Sequence, residues 1–133
     1  MKNRILVCLL SILLFSCGDS KVFTTTEDSI NYISVDIEQL LEDPNRFNGK
    51  YIELSGIFVY EFENVGIYKT RMAAYRKDSK NAFWTEFEEG LLTGEELEGL
   101  KNKRIVVRGL VSERKGHLMQ FAGTLKKVNY LKY

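Results

Sequence analysis

The stretch FNGKYIELSG, residues 47–56, is matched in outline by LKNKRIVVRG, residues 100–109. Each follows a short helical stretch and runs through an apolar residue (Phe47, Leu100) and a lysine-bearing turn. Alternating aliphatic residues and a glycine at the same offset then follow, Gly56 in one and Gly109 in the other. The two copies lie 53 residues apart, too far for a solenoid period. A glycine inside a strand marks a bulge or a sharp bend, and a small sheet must bend to close on itself. The pair therefore predicts two bent strands doing equivalent work in one barrel.

The patterning on either side fills in the remaining elements. DIEQLLEDP, residues 36–44, predicts a helix capped by Asp36, with Ile37, Leu40 and Leu41 at helical spacing and Pro44 to stop it. After the Asn48-Gly49 turn, Ile52, Leu54, Gly56, Phe58 and Tyr60 alternate onto one strand face. The interleaved residues begin polar (Glu53, Ser55) and become apolar (Ile57, Val59). GIYKTRMAAYRKDSKN, residues 66–81, reads as a second strand running into a charged loop, and AFWTEF, residues 82–87, as a short third. TGEELEGLKNK opens a helix with Thr93 as cap and Glu96 three residues on, the spacing of a capping box. RIVVRGLVSE is a strong fourth strand, RKGH a hairpin turn, and LMQFAGTLKKVNYL, residues 118–131, a long last strand.

Strand, strand, strand, helix, strand, strand is the order of the OB-fold, and over residues 47–130 the chain resembles that fold. The expected architecture is mainly β: a five-stranded OB-like barrel with a helix between strands three and four and a short N-terminal helix. More narrowly, the run from GKYIELSGIFVY through FWTEF to KRIVVRGLVSERKGHL looks like a group of small bacterial envelope proteins with one such barrel. That resemblance implies an architecture and no activity. Length and composition agree with one folded domain: 133 residues, 44% hydrophobic, 12% aromatic and a single proline.

The N-terminus carries an address. Lys2 and Arg4 precede eleven uncharged residues, 5–15, followed by Ser16 and Cys17. Eleven helical residues span about 16 Å, half of a hydrocarbon core of about 30 Å, too short for a permanent membrane span. Leu14-Phe15-Ser16-Cys17 resembles the lipobox of bacterial lipoproteins, with Leu three before the cysteine, a small residue next to it and Gly18 after. Phe15 departs from the pattern, which usually has a smaller residue there. The resemblance implies cleavage before Cys17, diacylation of its sulfur and acylation of the new amine, which together anchor stably where one chain does not. Gly18, rather than Asp, lacks the retention signal known in some inner-membrane lipoproteins and points to the outer membrane, facing the periplasm.

Three regions follow: a signal peptide over 1–16, a lipidated and polar tether over 17–35 with room for a short strand within 30–35, and the barrel over 36–133. Cys8 leaves with the leader and Cys17 is consumed, so the barrel must hold by packing without a disulfide. Lys2 and Arg4 leave too, taking the formal charge from +1 to −1. There is no global basic field to recruit nucleic acid, and export separates the domain from it.

For chemistry, the strongest constellation is Tyr60, Tyr68, Tyr75, Trp84 and Phe121 with Arg71, Arg76, Lys77 and Lys80 near them. OB barrels stack ligands on such aromatic faces, although barrel cores are aromatic as well. Tyr60, Tyr68, Arg71, Tyr75, Trp84 and Phe121 are the expected ligand-binding residues. Glu61 and Glu63, with Glu86, Glu88 and Glu89, offer carboxylate pairs for a small envelope hydrolase, but loop acids are ordinarily just solvated. His117 is the only histidine and has no soft partner for a metal. Neither a Gly-rich phosphate loop, a Ser-His-Asp set nor a Cys-x-x-Cys motif is present. The expectation is a binding or scaffolding module, held to the membrane by its lipid, without cofactor or metal, that meets a protein partner or a small ligand.

Overall fold

The computed structural model describes residues 18–25 and 29–133. The leader, Cys8 and Cys17 lie outside the described residues. The elements are β1 (Val22–Thr24), β2 (Ile33–Val35), α1 (Ile37–Glu42), β3 (Tyr51–Glu61), β4 (Asn64–Tyr68) and α2 (Arg71–Tyr75). They continue with β5 (Ala82–Phe87), α3 (Gly94–Gly99), β6 (Arg104–Ser112) and β7 (Gly123–Lys132). Single 3-10 turns occupy Pro44–Phe47, Ser79–Asn81 and His117–Met119.

Five strands close a ring. β3 pairs antiparallel with β4 and with β6, β4 with β5, and β6 with β7, while β5 and β7 join in parallel. With α3 between the third and fourth barrel strands, this is the OB-like barrel that the strand order predicts. β3 serves two partners: Tyr51 to Ile57 pair with β6, and Ile57 to Glu61 pair with β4. The changeover falls beside Gly56, where a Cβ would sit 2.4 Å from Ile67 Cγ2 and 2.8 Å from the Tyr68 carbonyl oxygen. Gly109 meets the corresponding need on β6, but the irregularity lies on the opposite strand. The β6–β7 register shifts between Arg108, opposite Tyr130, and Leu110, opposite Lys126. Lys127 takes a left-handed φ of 54° in that bulge. A Cβ on Gly109 would stand 2.8 Å from the Lys126 carbonyl oxygen and 2.9 Å from Leu125 Cγ.

Inside the ring, Ile52, Leu54, Phe58, Ile67, Phe83, Ile105, Val107, Leu125 and Leu131 are fully buried. Both predicted helices form for the predicted reasons. The Asp36 carboxylate accepts the Glu38 N–H at 3.1 Å, and Ile37 and Leu40 turn into the core. Thr93 Oγ1 accepts the Glu96 N–H at 3.2 Å while the Glu96 carboxylate accepts the Thr93 N–H at 2.8 Å, the reciprocal capping box. α3 then lays Leu97 and Leu100 against the barrel.

Three local expectations are corrected. The stretch read as a tether holds a strand: β1 pairs antiparallel with the end of β7, Val22 opposite Lys132. β2, inside the span 30–35 where a strand was expected, pairs in parallel with the start of β3. Both fill edges the five-strand ring leaves open, β1 beyond the end of β5 and β2 before β4 begins, and unpaired sheet edges are unfavourable. The second strand stops at Tyr68, because Thr70 Oγ1 accepts the Ala73 N–H at 3.0 Å and starts α2. The last strand starts at Gly123 rather than near 118, because Leu118 and Met119 take left-handed φ values of 53° and 54°.

Gly56→Ala and Gly109→Ala are each expected to lower unfolding free energy by about 1–3 kcal/mol, the usual cost of overpacking. Gly94→Ala, with open space around its Cα, is expected to change it little. Urea denaturation of the three variants checks the contrast.

Candidate functional site

In OB barrels the ligand face is the outside of strands two and three, flanked by the loops after strands one and four. Here that surface belongs to β4 and β5. Gly66 lies opposite Trp84, and Tyr68 opposite Ala82. Tyr68 is fully buried and its hydroxyl donates to Asn64 Oδ1 at 2.7 Å. Phe121 meets Tyr68 edge-on at 6.4 Å and Trp84 edge-on at 5.4 Å between ring centres. With Ile57, Val59, Ala73, Ala74 and Ala82 these rings form a second apolar cluster outside the barrel.

Two of the chain's own elements cover this cluster. α2 places Ala73 and Ala74 over it, and the β6–β7 connection, residues 113–122, supplies Phe121 and lies across Trp84. The His117 ring stacks on Trp84 at 5.9 Å. The Arg114 guanidinium pairs with the Glu86 carboxylate, and Thr124 Oγ1 donates to the Arg114 carbonyl. Gly116 has a φ of 67°, and a Cβ there would come within 2.5 Å of Trp84 Cβ, so only glycine lets this backbone lie on the indole.

The six expected ligand-binding residues therefore do not share one open face. Tyr68, Trp84 and Phe121 come together as packing. Tyr60 points to the barrel interior, stacked on Phe58 at 6.3 Å. Arg71 and Tyr75 stand on α2. Arg71 Nη1 donates to the Asn102 carbonyl at 2.7 Å, and both side chains line a shallow hollow of about 290 Å³ with Ile57 and Asn102. Of the flanking cations, Lys77 pairs with Glu61 at 2.8 Å.

The carboxylates are also dispersed. Glu61 holds Lys77, Glu86 holds Arg114, and Glu88 accepts from Thr25 Oγ1 at 2.9 Å. Glu63 Oε1 lies 3.3 Å from His117 Nε2. Among the described residues no three His, Cys, Asp or Glu side chains are placed to hold a metal.

Sequence reasoning missed an apolar surface on the adjoining loops. Phe62, at the two-residue turn of the β3–β4 hairpin, is 92% exposed. Leu118 and Met119, on the β6–β7 connection, are 64% and 75% exposed. The two loops lie side by side where Glu63 approaches His117, whose Nε2 is buried without a hydrogen bond, and Glu63 shares the left-handed backbone of Leu118 and Met119, with φ 57°. The available signal was a phenylalanine between two glutamates at a hairpin tip, where turn chemistry calls for Gly, Asn or Asp.

The site thus defines a closed OB-like barrel whose customary ligand face is covered by its own helix and loop. No family model matches the chain, and no curated protein or solved structure matches it.

Burial holds the Tyr68 phenol above its ordinary pKa of 10.0, and the negative charges of Glu61 and Asp78 add to the rise. The unfolded chain then releases this proton first, so the contribution to stability is complete below pH 10 and fades as pH rises through the folded value. Tyr68→Phe is expected to flatten the alkaline loss of thermal stability, measured as Tm from pH 9 to about 11.5 across the tyrosine range.

Proposed function

We propose that this chain is a membrane-anchored envelope lipoprotein whose barrel is a docking module for a protein partner. The observation that carries the reading is the exposure of Phe62, Leu118 and Met119 on two loops that approach each other at Glu63 and His117. Grouped exposed apolar side chains on a small domain mark interaction surfaces. The aromatic face that would stack a small ligand is filled by α2 and the β6–β7 connection, which favours a protein over a small molecule. The lipobox resemblance at Leu14-Phe15-Ser16-Cys17 supports the anchor, and Gly18 supports the outer membrane facing the periplasm. No helix among the described residues is long and apolar enough to cross a membrane.

Cys17→Ala is expected to block processing or release the protein from the membrane fraction. Mass spectrometry of the wild-type N-terminus should find acylated Cys17, and an unmodified thiol there would reject the anchor. For the docking surface, crosslinking in intact cells is expected to give an adduct with the wild-type chain and none with the variant F62S/L118S/M119S. The variant's Tm should change little, because exposed substitutions usually cost within about 0.5 kcal/mol. An undiminished adduct would place docking elsewhere.

A further inference from the structure

The first hydrogen bonds of the described chain tie its start to β7. The Lys21 N–H donates to the Tyr133 carbonyl at 2.9 Å, and the Tyr133 N–H donates to the Lys21 carbonyl at 3.1 Å. Only four residue steps separate Lys21 from Cys17. Fully extended they reach about 14 Å, and the headgroup layer takes up several ångströms of that. An unstructured stretch over 18–35 would let the barrel stand far from a bilayer. With β1 on the sheet it cannot.

The same end of the sheet collects cations and rings. β7 finishes there and β6 begins there, since Val106 lies opposite Lys132. Lys21, Lys103, Arg104 and Lys132 are all exposed. Lys21 Nζ lies 5.0 Å from the Phe23 ring centre and Lys103 Nζ 4.8 Å from that of Tyr133, and the two rings stack on each other at 6.3 Å. Val22 is exposed beside them. The carboxylates near in sequence are Asp19 and Glu98, and Glu98 is engaged by Lys101 at 2.8 Å; Arg104 also shares a surface hollow with Asp36 and with Glu53, which Arg108 holds at 2.8 Å. Aromatic rings with flanking lysines are the composition of a membrane–water interface, and basic side chains are drawn to anionic headgroups within about a Debye length, roughly 8–10 Å.

We infer that this end of the barrel sits directly on an anionic phospholipid surface, with Lys21, Lys103, Arg104 and Lys132 against the headgroups and Phe23 and Tyr133 at the interface. The inference rests on acylation of Cys17 and adds the orientation that the short link imposes. It makes the lipid a fixed mount for the domain.

The test uses the full chain purified with its anchor, in phosphatidylcholine vesicles containing phosphatidylglycerol and, separately, in detergent. An impermeant amine reagent labels exposed lysines, and mass spectrometry reads each one. Lys50 and Lys115, by the far end of β6, serve as references. Lys21, Lys103 and Lys132 are expected to label about fivefold less than in detergent relative to the references, the factor given by one basic residue's usual attraction to an anionic surface. R104Q/K132Q should stay in the vesicle fraction through its lipid and lose most of the protection at Lys21 and Lys103. Equal labelling in vesicles and detergent, with acylated Cys17 seen in the same spectra, would overturn the orientation alone. Absence of the acyl mass would overturn the anchor, and the orientation with it.

Discussion

Closing a small sheet into a barrel requires its strands to tilt and stagger in register, and here β3 accommodates this by pairing with β6 up to Ile57 and with β4 from Ile57 onward. Gly56 makes the changeover feasible by leaving room for the Ile67 side chain and the Tyr68 carbonyl. Gly109 allows the second irregularity, where β7 bulges through Lys127 and its backbone presses toward β6. The barrel depends on these two close approaches. Each is a place where even a methyl group would collide with backbone, so curvature is written into the absence of side chains.

Closing the ring creates a second problem on its outside. β4 and β5 present Tyr68, Ala82 and Trp84 outward, and a sheet face of that composition needs a cover. α2 and the β6–β7 connection supply it, with Phe121 inserted between the two rings and Gly116 flat on the indole. Other apolar residues lie at the periphery. Leu118, Met119 and Phe62 end on loop tips, two of them on left-handed backbone that non-glycine residues enter at a cost. The rings packed beneath stabilise the domain, and the side chains at the rim stay exposed.

The N-terminal strands follow from the same geometry. β5 stops alongside β7 before β7 ends, and β4 joins β3 only from Ile57 onward. β1 and β2 take those vacant edges. Arg108 secures this side: its guanidinium holds Glu53 at 2.8 Å and lies 4.2 Å from the Tyr130 ring centre and 5.6 Å from that of Tyr32, which precedes β2. Residues 22–24 and 33–35 thereby become part of the sheet, and only residues 18–20 lie between Cys17 and the sheet bonds of Lys21.

Local chemistry was legible in the residues themselves. The echo of residues 47–56 in 100–109 announced two strands with a glycine where a neighbour comes close, although the bulge beside Gly109 falls on β7; Asp36 and Thr93 with Glu96 announced two helix starts, and the strand order announced the barrel. Each rests on neighbours a few positions apart, where spacing dictates contact. The aromatic set of Tyr60, Tyr68, Trp84 and Phe121 was equally visible, but its use was not, because a buried ring and a ligand-stacking ring have the same letter. Whether an outward aromatic is open depends on what returns to cover it, and here that is a helix and a loop from elsewhere in the chain. The sequence by itself determined where the sheet needs glycine and where the helices begin; the tertiary structure decided which apolar groups are core, which are rim, and which strand carries the bulge, because those depend on which distant segments meet.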